Sequence, residues 1–362
     1  MGHVLLWHLD GRLPNLALMR LAAHHRALGD TVELRQGTPS QWLWDQPTRV
    51  YGSLLFTRSR PLGEQLRTFY PDAVLGGTGW DATVTLDHVG IPETGPLDYT
   101  LYPGYPHSIG FSQRGCRLHC PFCVVPRKEG RVQPAASITE IWRGDPWPRT
   151  LLLLDNDFFG QAHWAERLEE IRTGQFRVCF TQGINIRLLT EEAAQALASV
   201  RFMDDQFRRR RLYTAWDNRR DEARLFAGLE RLVRSGIPPD AIMVYMLIGY
   251  WPGETEVDWL YRQARLRAFG ARPYPMPYVR TPATVGFQRW CVGAYDKRIS
   301  WAQWQAAGYR PERVSARHQG VQARNQMALP LWQHGSLAAR TVPEAFAADD
   351  SAEDADAECT AP

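Results

Sequence analysis

The sequence predicts an α/β protein, an N-terminal Rossmann-like domain followed by a partial (β/α)6 TIM-like barrel. Short apolar runs alternate with helical patterns along most of the 362 residues. Helix starts and stops carry the residues that favour them, and a proline-rich stretch near residue 100 separates two such series. The length suits two unequal domains, each burying its own core.

The elements follow in order. His3 to Leu9 reads as an apolar strand. Pro14 then opens a helix with Leu18, Leu21, Ala22 and Leu28 on one face, and Gly29 ends it. Thr31 to Leu34, Val50 to Phe56 and Ala73 to Leu75 supply further strands, completing a first domain over residues 1–90. Residues 91–106, with Pro92, Pro96, Pro103 and Pro106, are expected to form a linker. Over residues 107–300, the runs Ser108 to Phe111, Leu151 to Leu154, Val178 to Phe180, Leu212 to Ala215, Ile242 to Ile248 and Tyr274 to Val279 are expected to form a parallel sheet. Thr190 is placed to cap a helix beginning Glu191-Glu192, and Asp221 to Arg234 is amphipathic. Residues 301–340 are expected to add a helical extension. Residues 341–362 are acidic and poor in apolar side chains, so disorder is expected there.

Composition narrows the class. A hydrophobic fraction of 44% with 22% charged residues describes a globular protein, not a fibrous or disordered one. The apolar runs are far too short to cross a bilayer, so a cytoplasmic location without membrane partners is expected. Six cysteines, three of them between positions 116 and 123, fit metal ligation in a reducing compartment better than a disulfide framework. The net charge of +3 hides an acidic C-terminal segment: residues 344–362 carry seven acidic side chains, leaving +10 on residues 1–343. That excess suits an anionic substrate or nucleic acid. Only Lys128 and Lys297 are lysines, however, so the arginine richness equally fits biased base composition, and nucleic-acid binding is not favoured.

The chemistry centres on Gly115-Cys116-Arg117-Leu118-His119-Cys120-Pro121-Phe122-Cys123, directly after the first strand of the second series. Three thiolates on a short loop can bind three irons of a cubane, leaving a fourth open. Here the chain resembles the radical S-adenosylmethionine (radical SAM) superfamily, whose C-x3-C-x2-C motif has an aromatic residue before its last cysteine. Cys116, Cys120, Phe122 and Cys123 match it, and the resemblance covers residues 105 to 300. It implies a partial (β/α)6 barrel, a [4Fe-4S] cluster and S-adenosyl-L-methionine held by the open iron. Reductive cleavage to a 5'-deoxyadenosyl radical would follow, with an electron donor such as flavodoxin or ferredoxin.

Further residues stand at expected strand ends. Asp155 and Asp157 occupy the place of the superfamily's Gly-Gly-Glu-like motif, which contacts the methionine amino group; the glycines are missing, and capping of the next helix is the equal alternative. Gln182, Asn185 and Arg187 are available for ribose hydroxyls or a carboxylate. Asp217 follows the fourth strand. Gly249 ends the fifth, where the superfamily accommodates adenine or where a turn simply needs glycine.

The first domain resembles the cobalamin-binding-like domain of one radical SAM class through Pro14-Asn15-Leu16-Ala17 and Gly76-Gly77-Thr78-Gly79. The D-x-H-x-x-G signature is absent, so cobalamin, if bound, would lack histidine ligation; His8, His24 and His25 read as packing or surface residues. No cysteine precedes Cys116, unlike the radical methylthiotransferases, and Cys179, Cys291 and Cys359 are too few for an auxiliary cluster. Cys291 is a candidate hydrogen-atom donor or an ordinary buried thiol. Arg208 to Arg211 reads as a solvated loop. Two alternatives remain: a zinc-bound nucleic-acid or protein-binding module using the three cysteines with His119, and a non-catalytic barrel scaffold.

Overall fold

β1 (His3–His8) is apolar without alternation because it is an inner strand, with both faces covered. It is followed by α1 (Leu16–Ala27), β2 (Thr31–Gln36), β3 (Arg49–Ser53), α2 (Arg60–Phe69) and β4 (Val74–Gly76). The strands pair in the order β2-β1-β3-β4, all parallel. Leu5, Trp7 and Leu9 pack with Val50, Leu66 and Leu75 in one apolar cluster. α1 buries Leu18, Met19, Leu21 and Ala22. It begins after Asn15 and not at Pro14, because the Asn15 side chain accepts the Leu18 N–H at 3.2 Å and so caps the first turn.

The computed structural model describes residues 1–41 and 46–310. The expected acidic tail, Cys359 and all but the start of the expected 301–340 extension lie outside them. The chain divides into two compact units, Met1–Trp216 with Arg220–Val244, and Asp217–Arg219 with the described residues from Tyr245 onward.

Residues 91–106, expected as a linker, are tied to α1: Asp98 accepts an ion pair from Arg26, and the Tyr102 hydroxyl accepts the Asn15 N–H at 3.3 Å. The first unit continues with β5 (Ser108–Gly110), β6 (Gln113–Arg114), α3 (Val125–Lys128), β7 (Gln133–Pro134), α4 (Ile138–Ile141), β8 (Thr150–Leu153), α5 (Trp164–Thr173), β9 (Arg177–Phe180), α6 (Glu191–Ala198), β10 (Arg201–Phe202), β11 (Leu212–Ala215) and α7 (Glu222–Arg234). A second parallel sheet runs β10-β9-β8-β5, with Ile109 beside Leu152 and Leu152 beside Cys179. Leu151, Leu152, Leu153, Val178 and Cys179 are wholly buried, as the continuous apolar runs require. Thr190 caps α6 by accepting the Ala193 N–H. The fold is mixed α/β with parallel sheets, and no closed barrel forms among the described residues.

The second unit takes up β12 (Ile242–Ile248) from Tyr245, then α8 (Glu256–Phe269), β13 (Arg272–Pro277), α9 (Pro282–Val292) and α10 (Trp301–Ala306). β13 starts two residues before the expected Tyr274. Pro273, Pro275 and Pro277 alternate along it, so one side of the strand lacks N–H donors, which an edge strand tolerates. Phe287, Trp290, Trp301 and Trp304 form an aromatic core whose indole N–H groups are satisfied by Ile299 O, the Glu256 carboxylate and Gly286 O. No described helix is long and apolar enough to cross a membrane.

Candidate cofactor site on the cysteine loop

The loop bearing Cys116, Cys120 and Cys123 leaves the carboxyl end of β5 and is closed at its base by β6 and β7, which pair antiparallel. Gly115 stands at the entrance with φ +77°, and a Cβ there would lie 2.1 Å from Arg131 O. Only glycine permits both that conformation and that approach. The turn is fixed by the Cys123 N–H donating to Cys120 O at 2.9 Å. All three thiols are half-buried and none is in a disulfide.

A buried polar network carries this loop. The Gln113 amide donates to Gly115 O at 2.6 Å and accepts the Asp157 N–H at 3.1 Å. Arg114 holds Glu129 on the far side of the loop, with Nη2 at 2.9 Å, and Glu93 at 2.7 Å. Asp155, expected as a cofactor contact or helix cap, accepts the Ser112 N–H at 2.8 Å and the Ser112 hydroxyl. Burial pushes its carboxyl up to about 7, against the lowering effect of those hydrogen bonds. Asp157 grips Arg117 inside the motif through Nε at 2.7 Å and Nη2 at 3.0 Å, and its side chain caps no helix. Both carboxylates are therefore engaged in holding the segment from Ser112 to Arg117.

The thiols lie within electrostatic reach of one another: burial pushes Cys116 up to about 11, and Asp157, Cys120 and Cys123 add to the rise. Arg187 comes from the turn after β9 to place Nη2 3.9 Å from Cys120 Sγ, while Nη1 binds Asp221 at 2.7 Å. Asn185 brings both its amide atoms into enclosed positions without a partner. Gln182 lines a cleft of about 1440 Å³ that also receives Val124, Val125 and Lys128 from just past Cys123. Phe122 is half-buried on the loop. Among the described residues, no three His, Cys, Asp or Glu side chains converge closely enough to hold a single metal ion.

Asp217 and Gly249 belong to the second unit. Asp217 O accepts the Trp251 indole N–H at 2.7 Å. Gly249 has φ +74° and donates its N–H to Glu254 at 2.7 Å, so the turn itself requires glycine. Cys291 is buried in α9, and burial pushes its thiol well up. Sequence reasoning missed Ser112, Gln113, Arg117 and Asp221. Polar residues following an apolar strand were the available signal for the first two.

No family model matches the chain, and no curated protein matches it.

Proposed function

We propose that the chain is a radical SAM enzyme, with Cys116, Cys120 and Cys123 holding a [4Fe-4S] cluster and with S-adenosyl-L-methionine as cosubstrate. The observation that carries the reading is a three-thiol loop at the carboxyl end of a parallel strand, clamped by its own polar network and flanked in sequence by Arg114 and Val124, which line a large cleft. The donor set fits the group. Three thiols on one short loop suit a cubane with one open iron.

When bound, the cluster would supply the electron that cleaves S-adenosylmethionine to a 5'-deoxyadenosyl radical. The chain's own residues do the rest. Gly115, Gln113, Arg117 and Asp157 hold the loop in shape. Arg187 sets a positive charge 3.9 Å from Cys120 Sγ, where it offsets the negative charge of a thiolate-bound cluster. The unpartnered amide of Asn185 is suited to polar groups of the cosubstrate, a role that completes its hydrogen bonds. On this reading the second sheet and the following strands are a partial (β/α)6 barrel, and the first sheet is a Rossmann-like domain shaping the cleft. Cobalamin, on this reading, would bind without histidine ligation, because the sequence lacks the D-x-H-x-x-G signature.

The test is anaerobic reconstitution. The protein should take up about four irons and four sulfides and, once reduced, form 5'-deoxyadenosine and methionine. Cys116→Ala, Cys120→Ala and Cys123→Ala should each abolish cleavage, whereas Cys179→Ala, in β9, should not. Uptake of one zinc without iron-sulfur absorbance or cleavage would replace this reading with the zinc module.

A further inference from the structure

The cleft of the first unit holds a cation for which the fold has no use. Arg20, on α1, lines it. Among the described residues nothing forms a hydrogen bond or ion pair with its guanidinium, and its Nε is enclosed without a partner. The surrounding charges are already committed. Glu93, the acidic group that most influences Arg20, is bound by Arg114 at 2.7 Å. Arg114 also holds Glu129. Arg143 stacks on Tyr99 and Trp147, 3.9 and 3.4 Å from their ring centroids, and donates to Tyr105 O. Lys128 lies 3.8 Å from Glu129.

Closing the Arg20 Nε off from water without a counter-group is costly, and burial depresses the Arg20 pKa. An arriving anion would remove that cost. The planar fork of arginine matches the paired oxygens of a carboxylate or phosphate. The cleft around it is largely apolar, with Leu16, Leu86, Val89, Ile109, Phe111 and Trp142 in its walls, which suits a hydrocarbon or aromatic body and leaves the anion as the recognised group.

We propose that this cleft binds a small organic anion, a carboxylate or phosphate on an apolar body, with Arg20 as the residue that recognises it. Val124, Val125 and Gln182 border the same cleft, so under the function proposed above the anion is the substrate. That last step rests on that reading; the binding itself does not.

Isothermal titration of the full chain tests it with three probes of one shape: phenylpropionate, phenylpropyl phosphate and phenylpropanol. At least one anion should bind about tenfold or more tighter than the alcohol, as expected for a charged hydrogen bond in a desolvated site. The tighter of the two anions identifies the group. Arg20→Gln should reduce the preference to under about threefold, and Arg224→Gln, an exposed arginine of α7, should leave it intact. Binding the alcohol as tightly as the anions, no heat from either anion, or a full preference retained by a folded Arg20→Gln protein would each overturn the proposal. The wild-type comparison stands even if the variant fails to fold. The titration involves no iron, reductant or turnover, so it succeeds or fails separately from the cluster assignment.

Discussion

Asp155→Asn isolates the electrostatic cost of the network beneath the cysteine loop. The carboxyl is raised from an ordinary 3.8 to about 7, chiefly by burial, so the folded protein holds a proton that the unfolded chain releases. Between those two values the native state binds more protons than the unfolded state, and stability falls as pH rises. The contribution is complete below about pH 4 and lost above about pH 7. At 1.36 kcal/mol per tenfold, the loss is roughly 4 kcal/mol. Asparagine is isosteric: its Oδ1 can still accept the Ser112 N–H, and its amide can donate to the Ser112 hydroxyl, which the Gln161 amide already approaches at 3.2 Å. The variant should therefore lack this pH dependence. Urea unfolding of both proteins from pH 4 to pH 8 gives the difference directly, since other titrating groups cancel. The variant should gain roughly 4 kcal/mol on the wild type across that range. Parallel curves, within about 1 kcal/mol, would refute the reasoning and return Asp155 to an ordinary ionised carboxylate.

Other perturbations read the remaining contacts. Arg117→Ala leaves the fully buried Asp157 carboxylate without its bidentate partner, so unfolding free energy should drop by about 3 kcal/mol, measured in urea at pH 7. Arg187→Ala removes the cation beside Cys120 and frees Asp221; it should cost about 1 kcal/mol of stability and speed iron loss to a chelator from reconstituted protein, and unchanged loss would separate Arg187 from the cysteine site. Gly249→Ala forces a Cβ into φ +74° with Thr284 Cγ2 3.3 Å away, and thermal unfolding should register a loss of about 1–2 kcal/mol.

Local pattern was enough to place much of this chain. Leu212 to Ala215 and Ile242 to Ile248 form strands over the very residues that read as apolar runs, and Thr190 caps the helix that Glu191 begins. The cysteine triplet was legible for the same reason: three thiols within eight residues are a property of one loop. The roles of the acidic and basic residues around it were not. Asp155 meets Ser112 across 43 positions, Asp157 meets Arg117 across 40, and Arg187 meets Cys120 across 67. Nothing in their sequence neighbourhoods distinguishes a carboxylate that binds a cofactor from one that braces a loop. That choice is made when β8 and β9 stack beside β5 and bring those side chains together out of water, where a charge must find the nearest complementary group or pay the cost of standing alone.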